Sequence, residues 1–134
     1  TGIYTVLVDG DDFNDPVTDA ARSILDGHVN LSRQLAARNH FPAIDVLTSA
    51  SRVMIDVADQ RHLNAAGSVR EWMATYQKNE DLISIGAYNQ GANPKIDRAI
   101  AMQGKIEDYL RQGRNEKSDY SESIQKLYEL AELE

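Results

Sequence analysis

Residues 24–52, ILDGHVNLSRQLAARNHFPAIDVLTSASR, decide the fold of this chain. Residues 28–31 predict a short strand, and Ser32 is a typical N-cap for a second short helix that runs through Arg38 and ends at Asn39. With the strand and helix that precede it, this alternation predicts an α/β layer whose strands are parallel. After Pro42 the alternation stops, and residues 43–55 favour irregular structure or short helical turns.

The sequence before this stretch predicts one more strand and one more helix. Residues 3–8, IYTVLV, are rich in β-branched and aromatic side chains and therefore predict a strand. Asp15 followed by Pro16 predicts a helix start, and Gly27 suits a left-handed residue at the helix end. The predicted apolar face of this helix is Val17, Ala20, Ala21, Ile24 and Leu25. Because a strand at the first residues needs neighbours, we expect the chain to be the C-terminal end of a larger protein.

The sequence after this stretch predicts helices with apolar side chains at three- and four-residue spacing. Glycine and proline interrupt them at Gly86, residues 91–94 and residues 112–113. We expect the α/β part to end near residues 52–58, which divides the chain into 1–55 and 56–134. The predicted apolar faces are Val69, Trp72, Met73 and Tyr76; Ile96, Ala99, Ile100, Ile106 and Leu110; and Tyr120, Ile124, Leu127, Tyr128 and Ala131.

Composition excludes several classes of function. The 134 residues are 42% hydrophobic and 26% charged, which is typical of a globular protein. The net charge of −7 argues against direct nucleic-acid binding, which needs a basic face. The absence of cysteine excludes disulfides and thiolate metal sites. No apolar run is long enough for a membrane span and no signal peptide is visible, so we expect a cytoplasmic protein.

Two patterns in the sequence resemble catalytic or metal-binding sites. Asp9 and Asp11 after an apolar strand resemble the start of a Mg²⁺-dependent phosphatase of the haloacid-dehalogenase type, although Asp12 departs from that pattern. A polar loop and a helix cap are the favoured interpretation. The three histidines lack the spacing of a metal site and are expected to be structural. The sequence has no G-x-x-x-x-G-K-[ST] loop for phosphates.

An ordered set of short motifs resembles the C-terminal third of the flagellar and type III secretion export ATPases, relatives of the catalytic β-subunit of rotary ATP synthases. The resemblance covers essentially the whole chain and is strongest over residues 4–54 and 81–88. The motifs are YTVL at 4–7, GDD at 10–12, DP at 15–16, LDGH at 25–28, LSR at 31–33, HFPAID at 40–45, SR at 51–52 and DLISIGAY at 81–88.

The resemblance implies a fold and an activity. The fold would be the α/β edge of a RecA-like P-loop NTPase domain followed by an all-α C-terminal domain, mostly helical overall. The family hydrolyses ATP with Mg²⁺ at the interfaces of a homohexameric ring and energises protein export from the cytoplasmic face of a membrane apparatus. Its phosphate-binding loop, catalytic Glu and Mg²⁺-positioning Asp lie upstream, so this segment alone is expected to bind no cofactor and to be inactive.

Arg52 is the catalytic residue that the resemblance implies. It matches the family's arginine finger, which reaches into the neighbouring subunit's site. A planar, permanently charged guanidinium can contact two γ-phosphoryl oxygens as their charge develops in the transition state. Without the resemblance, a solvated surface arginine would be the favoured interpretation.

Two further segments match partner contacts of the family. The acidic loop would lie near the central hole of the ring, and the turn at residues 88–95 would point to a coiled-coil stalk protein. This turn has no acid, unlike its acidic equivalent in the synthases, and ordinary solvated loops are the alternative for both segments. The helical domain would offer a face to export chaperones or substrates. The candidate partner-binding residues are Asp11, Asp12, Asn14, Asp15, Tyr88, Gln90 and Lys95.

The position of the family's adenine-stacking tyrosine is occupied here by Leu63, so no adenine site is assigned. Trp72, Tyr76, Tyr109 and Tyr128 lie on apolar helix faces and are expected to pack in the core. Three other functions stay open: a non-catalytic helical interaction module, the small phosphatase, and a synthase catalytic subunit. We also expect the segment to self-associate or to be marginally stable, because an isolated α/β edge exposes apolar surface.

Overall fold

The structure is a computed structural model that describes residues 1–8, 10 and 15–132. Asp9, Asp11, Asp12 and Asn14 therefore lie outside the described residues. The chain is mostly helical with a small two-stranded sheet, which confirms the predicted fold class. In chain order the elements are α1 (Pro16–Ile24), β1 (Gly27–Leu31), α2 (Arg33–Ala37), β2 (Ile44–Ser51), α3 (Met54–Val57), α4 (Gln60–Ser84), α5 (Pro94–Leu110) and α6 (Tyr120–Glu132).

Helix α1 begins as predicted, but its apolar face does not meet a core. Asp15 Oδ2 accepts hydrogen bonds from the backbone amides of Val17 and Thr18, both at 3.1 Å. Val17 and Ile24 are 75% and 81% exposed, whereas Thr18 is buried. Within the predicted apolar face, Ala21 and Leu25 are half-buried, whereas Ala20 is exposed like Val17 and Ile24.

Gly27 does not have the left-handed conformation that we predicted, since it is the first residue of β1. Its role is close approach, because a Cβ there would lie 2.8 Å from the backbone oxygen of Ala50. The glycine thus allows the start of β1 to lie tightly against the end of β2.

The two strands are antiparallel, which corrects two predictions. Gly27 pairs with Ser51 and Leu31 pairs with Ile44, so residues 44–51 are a strand rather than irregular structure. A parallel pairing needs a crossover of about a dozen residues or more that carries the chain back to the same end of the sheet. The five-residue α2 and its turns are too short for such a crossover, and they reverse the chain direction between the two strands. The strands therefore pair antiparallel.

Residues 3–8 are not in a strand, so that prediction is also wrong for this structure. A strand exists only with a hydrogen-bonding neighbour, and none of the residues that the structure describes pairs with this segment. Its side chains are correspondingly open to solvent, with Ile3 and Leu7 both 94% exposed.

Helix α2 has the predicted ends. Ser32 Oγ accepts a hydrogen bond from the backbone amide of Leu35 at 3.3 Å. Asn39 has a φ of 57°, a left-handed conformation that asparagine tolerates better than most residues. These two local signals, N-cap and left-handed stop, therefore predicted this short helix to within one residue, since it ends at Ala37 rather than at Arg38.

Helices α4, α5 and α6, together called the helical unit, enclose the core. Trp72, Met73, Tyr109 and Tyr128 pack against this core, as predicted, but Tyr120 is 72% exposed. Met102 and Leu130 complete the apolar faces that the sequence outlined. Met102 and Ile106 are each only 1% exposed. The core residues are Ala65, Val69, Met102, Ile106, Leu127 and Leu130.

The helical unit is connected by turns at the predicted positions. Gly86 and Gly91 have φ values of 70° and 91°, which only glycine adopts readily. Asn93 Oδ1 caps α5 by accepting from the backbone amide of Lys95 at 3.0 Å. Tyr109 joins α5 to α6 by donating its hydroxyl to the backbone oxygen of Ser123 at 3.1 Å. Burial raises the pKa of this Tyr109 hydroxyl.

None of the helices in the described ranges is both long and apolar enough to cross a membrane.

Replacing Ile106 tests the position of the core. Ile106→Ala is expected to lower the free energy of unfolding by about 2–5 kcal/mol, since it removes buried methyl groups and leaves a cavity. Ile55→Ala, at a position that is 72% exposed, is the matched control and should change it by less than about 0.5 kcal/mol. Urea denaturation followed by circular dichroism measures both. Equal effects of the two changes would contradict this assignment of the core.

Candidate functional site

Arg52 lies directly after the last residue of β2 and is exposed. Its backbone amide donates to the backbone oxygen of Asp26 at 2.7 Å. Its guanidinium donates to the backbone oxygen of Arg22, in the last turn of α1, at 3.4 Å. A cation is favoured at a helix C-terminus, where carbonyl groups carry partial negative charge. The backbone of Arg52 is thus fixed while its charged group remains at the surface.

The strand that leads to Arg52 contains an insertion. His28 pairs with Ala50 and Asn30 pairs with Asp45, so that residues 46–49 of β2 lie opposite Val29 alone. We call residues 46–49 the bulge. Extra residues in one strand interrupt the regular hydrogen bonding of the pair and bend the chain, and the polar groups of the bulge need other partners.

Side chains of the two strands supply some of those partners. Asp45 Oδ1 accepts from the backbone amides of Leu47 and Thr48 at 3.1 and 3.2 Å. Ser49 Oγ accepts from the amide of Asn30 at 3.0 Å and donates to the backbone oxygen of Asp45 at 2.6 Å. The bulge is therefore an ordered feature with a specific set of hydrogen bonds.

The backbone oxygen of Thr48 faces β1. Asn30 donates to it through Nδ2 at 3.0 Å, and His28 Nε2 also lies 3.0 Å from it. The structural role expected for His28 is visible in this contact.

Helix α4 contributes the remaining contacts of the bulge through Arg70. One terminal nitrogen of this guanidinium donates to the backbone oxygens of Val46 at 2.9 Å and Ser49 at 3.4 Å. The other donates to the backbone oxygen of Leu47 at 3.5 Å. Sequence reasoning missed Arg70, because an arginine on the polar side of an amphipathic helix is indistinguishable from a solvated one.

A groove of about 160 Å³ separates β2 and α2 from the helical unit. Tyr76 lines this groove rather than joining the core residues, which corrects its predicted place. Arg38 and Glu80 form an ion pair at 3.4 Å beside it, but their side chains are 64% and 38% exposed. Exposed pairs contribute little to stability, so this pair adds little to the connection between the two parts.

The turn at residues 88–95, which we call the tip, is held by Asp97. Tyr88 donates its hydroxyl to Asp97 Oδ1 at 2.9 Å, and the Gly91 amide donates to the same carboxylate at 3.0 Å. Burial, and then the hydrogen bond to Asp97, raise the pKa of the Tyr88 hydroxyl. Gln90 is exposed, and Lys95 forms an exposed ion pair with Glu71 at 3.3 Å. Tyr88 therefore supports the tip, and Gln90 and Lys95 form its surface.

The other candidate residues have local roles. Asp15 caps α1, and Asp11, Asp12 and Asn14 lie outside the described residues. His40 is buried, and the backbone amide of His62 donates to Asp59 at 2.7 Å. Leu63 is half-buried in α4. Among residues 1–8, 10 and 15–132, no three acidic or histidine side chains form a group that could hold a metal ion.

Comparison with known proteins accounts for both parts of the chain. Residues 58–129 match the family described as the type III secretion system EscN ATPase C-terminal domain, and residues 1–51 match the ATP synthase alpha/beta family nucleotide-binding domain. The chain belongs to the type III secretion ATPase family. Its similarity to the flagellum-specific ATP synthase of Bacillus subtilis is 49% identity over 97% of this chain and 30% of that protein.

Solved structures of this ATPase family have the same fold. The assembled ATPase EscN of the enteropathogenic E. coli type III secretion system is 45% identical, with a TM-score of 0.90 over 96% of this chain and 31% of that one. EscN in complex with its central stalk EscO is 44% identical, with a TM-score of 0.80 over 87% of this chain and 29% of that one. The chain thus spans about 30% of the length of its ATPase relatives. These matches do not support the phosphatase or the free-standing interaction module.

The support of the tip by Asp97 can be tested by amide exchange. Asp97→Ala should speed hydrogen exchange at the Gly91 amide by about tenfold or more, since a hydrogen bond to a charged acceptor is lost. Asp108→Ala, an exposed residue of the same helix, should leave that rate unchanged. NMR-detected exchange gives both rates. An unchanged Gly91 rate in Asp97→Ala would show that Asp97 does not hold the tip.

Proposed function

We propose that this segment is the C-terminal part of an ATPase that energises type III protein export. Membership of the type III secretion ATPase family supports this activity. The single observation that carries the role of the segment is Arg52, exposed at the end of β2 with its backbone fixed by Asp26. In this proposal the segment contributes Arg52 to catalysis and the helical unit to the binding of partners.

We assign the two proposed roles to two successive parts of the chain. Residues 1–55 complete the edge of a RecA-like ATPase domain, and residues 56–134 form the helical C-terminal domain. The sheet ends at Ser51, the four-residue α3 follows, and the helices of the core begin at Gln60. The proposed boundary thus falls within α3, in the connection between Ser51 and Gln60 that also contains Arg52.

ATP and Mg²⁺ serve the parent enzyme in this proposal, and the residues of this segment do not fit a binding site for them. The whole sequence has no glycine-rich phosphate loop ending in Gly-Lys-Ser or Gly-Lys-Thr. The part of the chain that the structure describes has no cluster of carboxylates or histidines suited to a cation. The segment alone should therefore hydrolyse no ATP.

Arg52 acts across the subunit interface in this proposal. Negative charge spreads over the γ-phosphoryl oxygens during transfer, and a guanidinium placed there stabilises the transition state more than the ground state. The guanidinium must reach beyond its own subunit, which the exposed position of Arg52 permits. Its contact with the carbonyl of Arg22 is a single long hydrogen bond of 3.4 Å, so little is lost when Arg52 turns to an anionic partner.

The proposed partners follow the same arrangement. The relative EscN is an assembled ATPase and binds a central stalk, and we extend both properties to this protein as a homohexamer with a coiled-coil stalk. The tip, through Tyr88, Gln90 and Lys95, and the acidic loop would contact the stalk. Export chaperones or substrates would bind the helical unit. The ring would associate peripherally with the export apparatus on the cytoplasmic side of the membrane.

Removing the Arg52 guanidinium tests the catalytic role. In the full-length ATPase that carries this segment, Arg52→Ala should lower ATP turnover by about 10³- to 10⁵-fold, as loss of an arginine finger does. Ring assembly, checked by size-exclusion chromatography with light scattering, should persist. Turnover is measured by phosphate release, and the isolated segment supplies the baseline.

Arg111→Ala is the matched control, because Arg111 is a half-exposed arginine that pairs with Glu107 of its own helix. Its turnover should equal that of the unchanged enzyme. If Arg52→Ala retains full turnover in intact rings, Arg52 is a surface residue and the segment serves packing and docking alone.

A further inference from the structure

We propose that Arg70 is a positioning residue for Arg52, which couples the helical unit to the proposed arginine finger. The inference rests on the proposed function of Arg52. It concerns a side chain of α4 whose hydrogen bonds go to the bulge and not to Arg52. Arg70 acts instead on the backbone of the bulge, which precedes Arg52 in the same strand.

The backbone of Arg70 has a fixed place in the helical unit. Arg70 follows Val69, a core residue that is 5% exposed, and lies in the middle of the 25-residue helix α4. Since α4 packs against both α5 and α6, Arg70 moves together with the whole helical unit. Its side chain leaves this rigid unit and reaches the strand of the α/β part.

The chemistry of the contact suits arginine. The bulge presents several backbone oxygens that regular pairing with Val29 alone cannot satisfy. Arg70 donates to three of them, on Val46, Leu47 and Ser49. A guanidinium has five N–H donors in a plane and no acceptor, so one side chain can satisfy several carbonyls at once. A lysine is a point charge on a flexible stem and does not fix several oxygens in one arrangement.

The bulge is close enough to Arg52 to set its position. Ser49, the last residue of the bulge, precedes Arg52 by three residues, and Ser51 pairs with Gly27. The Arg52 amide then bonds to Asp26. A displacement of the bulge is transmitted along this short strand segment. A misplacement of about 1 Å at a catalytic group can cost about a hundredfold in rate.

A role of Arg70 in fold stability and a role in positioning Arg52 predict different effects of its removal. If Arg70 only stabilises the fold, its loss should lower thermal stability and ring assembly without a specific effect on the chemical step. If it positions Arg52, its loss should lower kcat in intact rings and should matter only while Arg52 is present. These consequences can be separated in the full-length ATPase.

The test compares Arg70→Met, Arg70→Lys and the control Arg61→Met. Arg61 is also on α4, but it pairs with Glu132 and covers the ring of Tyr128 within the helical unit. Arg70→Met should lower kcat by about ten- to a hundredfold, with KM for ATP within about twofold of the unchanged enzyme. Arg70→Lys should fall between them, and Arg61→Met should retain full kcat. Phosphate release gives kcat and KM, and light scattering confirms the rings.

A double-mutant cycle with Arg52→Ala decides whether the effect passes through Arg52. We expect Arg70→Met to cause no further loss in the Arg52→Ala background, since residues that act as a unit are not additive. The same fold loss in both backgrounds, or an unchanged kcat in Arg70→Met alone, would overturn the inference and leave the arginine finger intact. An unchanged kcat in Arg52→Ala would instead overturn the proposed function.

Should Arg70→Met fail to assemble rings, Arg70→Lys decides the question, because it keeps the charge and one donor at a time. A kcat that is several-fold lower with KM unchanged supports positioning. A kcat equal to that of the unchanged enzyme overturns it.

Discussion

The backbone of β2 leaves its regular pairing for residues 46–49 and rejoins it before Arg52, and the contact between β2 and α4 depends on how the carbonyl groups of these residues are satisfied. All four carbonyl oxygens of this bulge accept hydrogen bonds from side chains, of Arg70, Asn30 and His28. An unpaired backbone oxygen in such a place costs about 1–3 kcal/mol if it is also removed from water. The bulge is therefore one of the places where the α/β part and the part that follows meet through hydrogen bonds, together with the bond from the Gln112 amide to the backbone oxygen of Phe41 at 2.8 Å.

The two parts differ in what they bury. The helical unit encloses its own core, with Met102 and Ile106 almost fully covered. The α/β part has no comparable core among its described residues, and its large apolar side chains face solvent. Under the proposed function, the remainder of a larger ATPase domain would cover this surface. Exposed apolar patches promote association, so self-association of the segment remains a prediction. The exposed apolar residues of this part are Ile3, Tyr4, Val6, Leu7, Val17, Ile24, Val29 and Leu31.

Local signals predicted much of this fold, and long-range pairing accounts for what they missed. Caps at Asp15 and Ser32 and the left-handed Asn39 set helix ends through contacts within four residues, so the sequence shows them directly. The direction of β2 relative to β1 is decided by how the intervening chain turns, which no local pattern encodes. Residues 3–8 have strand composition but no described neighbour to pair with. Composition alone cannot supply that partner.

The site shows the same limit. The role proposed for Arg52 comes from a resemblance of ordered motifs, since nothing in its local spacing marks it. Arg70 was missed because its contacts depend on a bulge that is invisible in the sequence and on the packing that brings α4 beside that bulge. The tip was located by its glycines and Pro94, but its support by Asp97 needed the folded geometry.

Subunit mixing tests most directly the central claim that Arg52 completes the site of a neighbouring subunit. Arg52→Ala subunits of the full-length ATPase would be mixed with subunits whose phosphate-binding loop is disabled, under conditions in which rings exchange subunits. Neither protein should turn over ATP alone. An arginine that acts in trans predicts that mixed rings regain turnover, because an interface can then combine an intact phosphate loop with an intact Arg52. Mixed rings that remain inactive, with exchange verified by labelled subunits, would contradict the account.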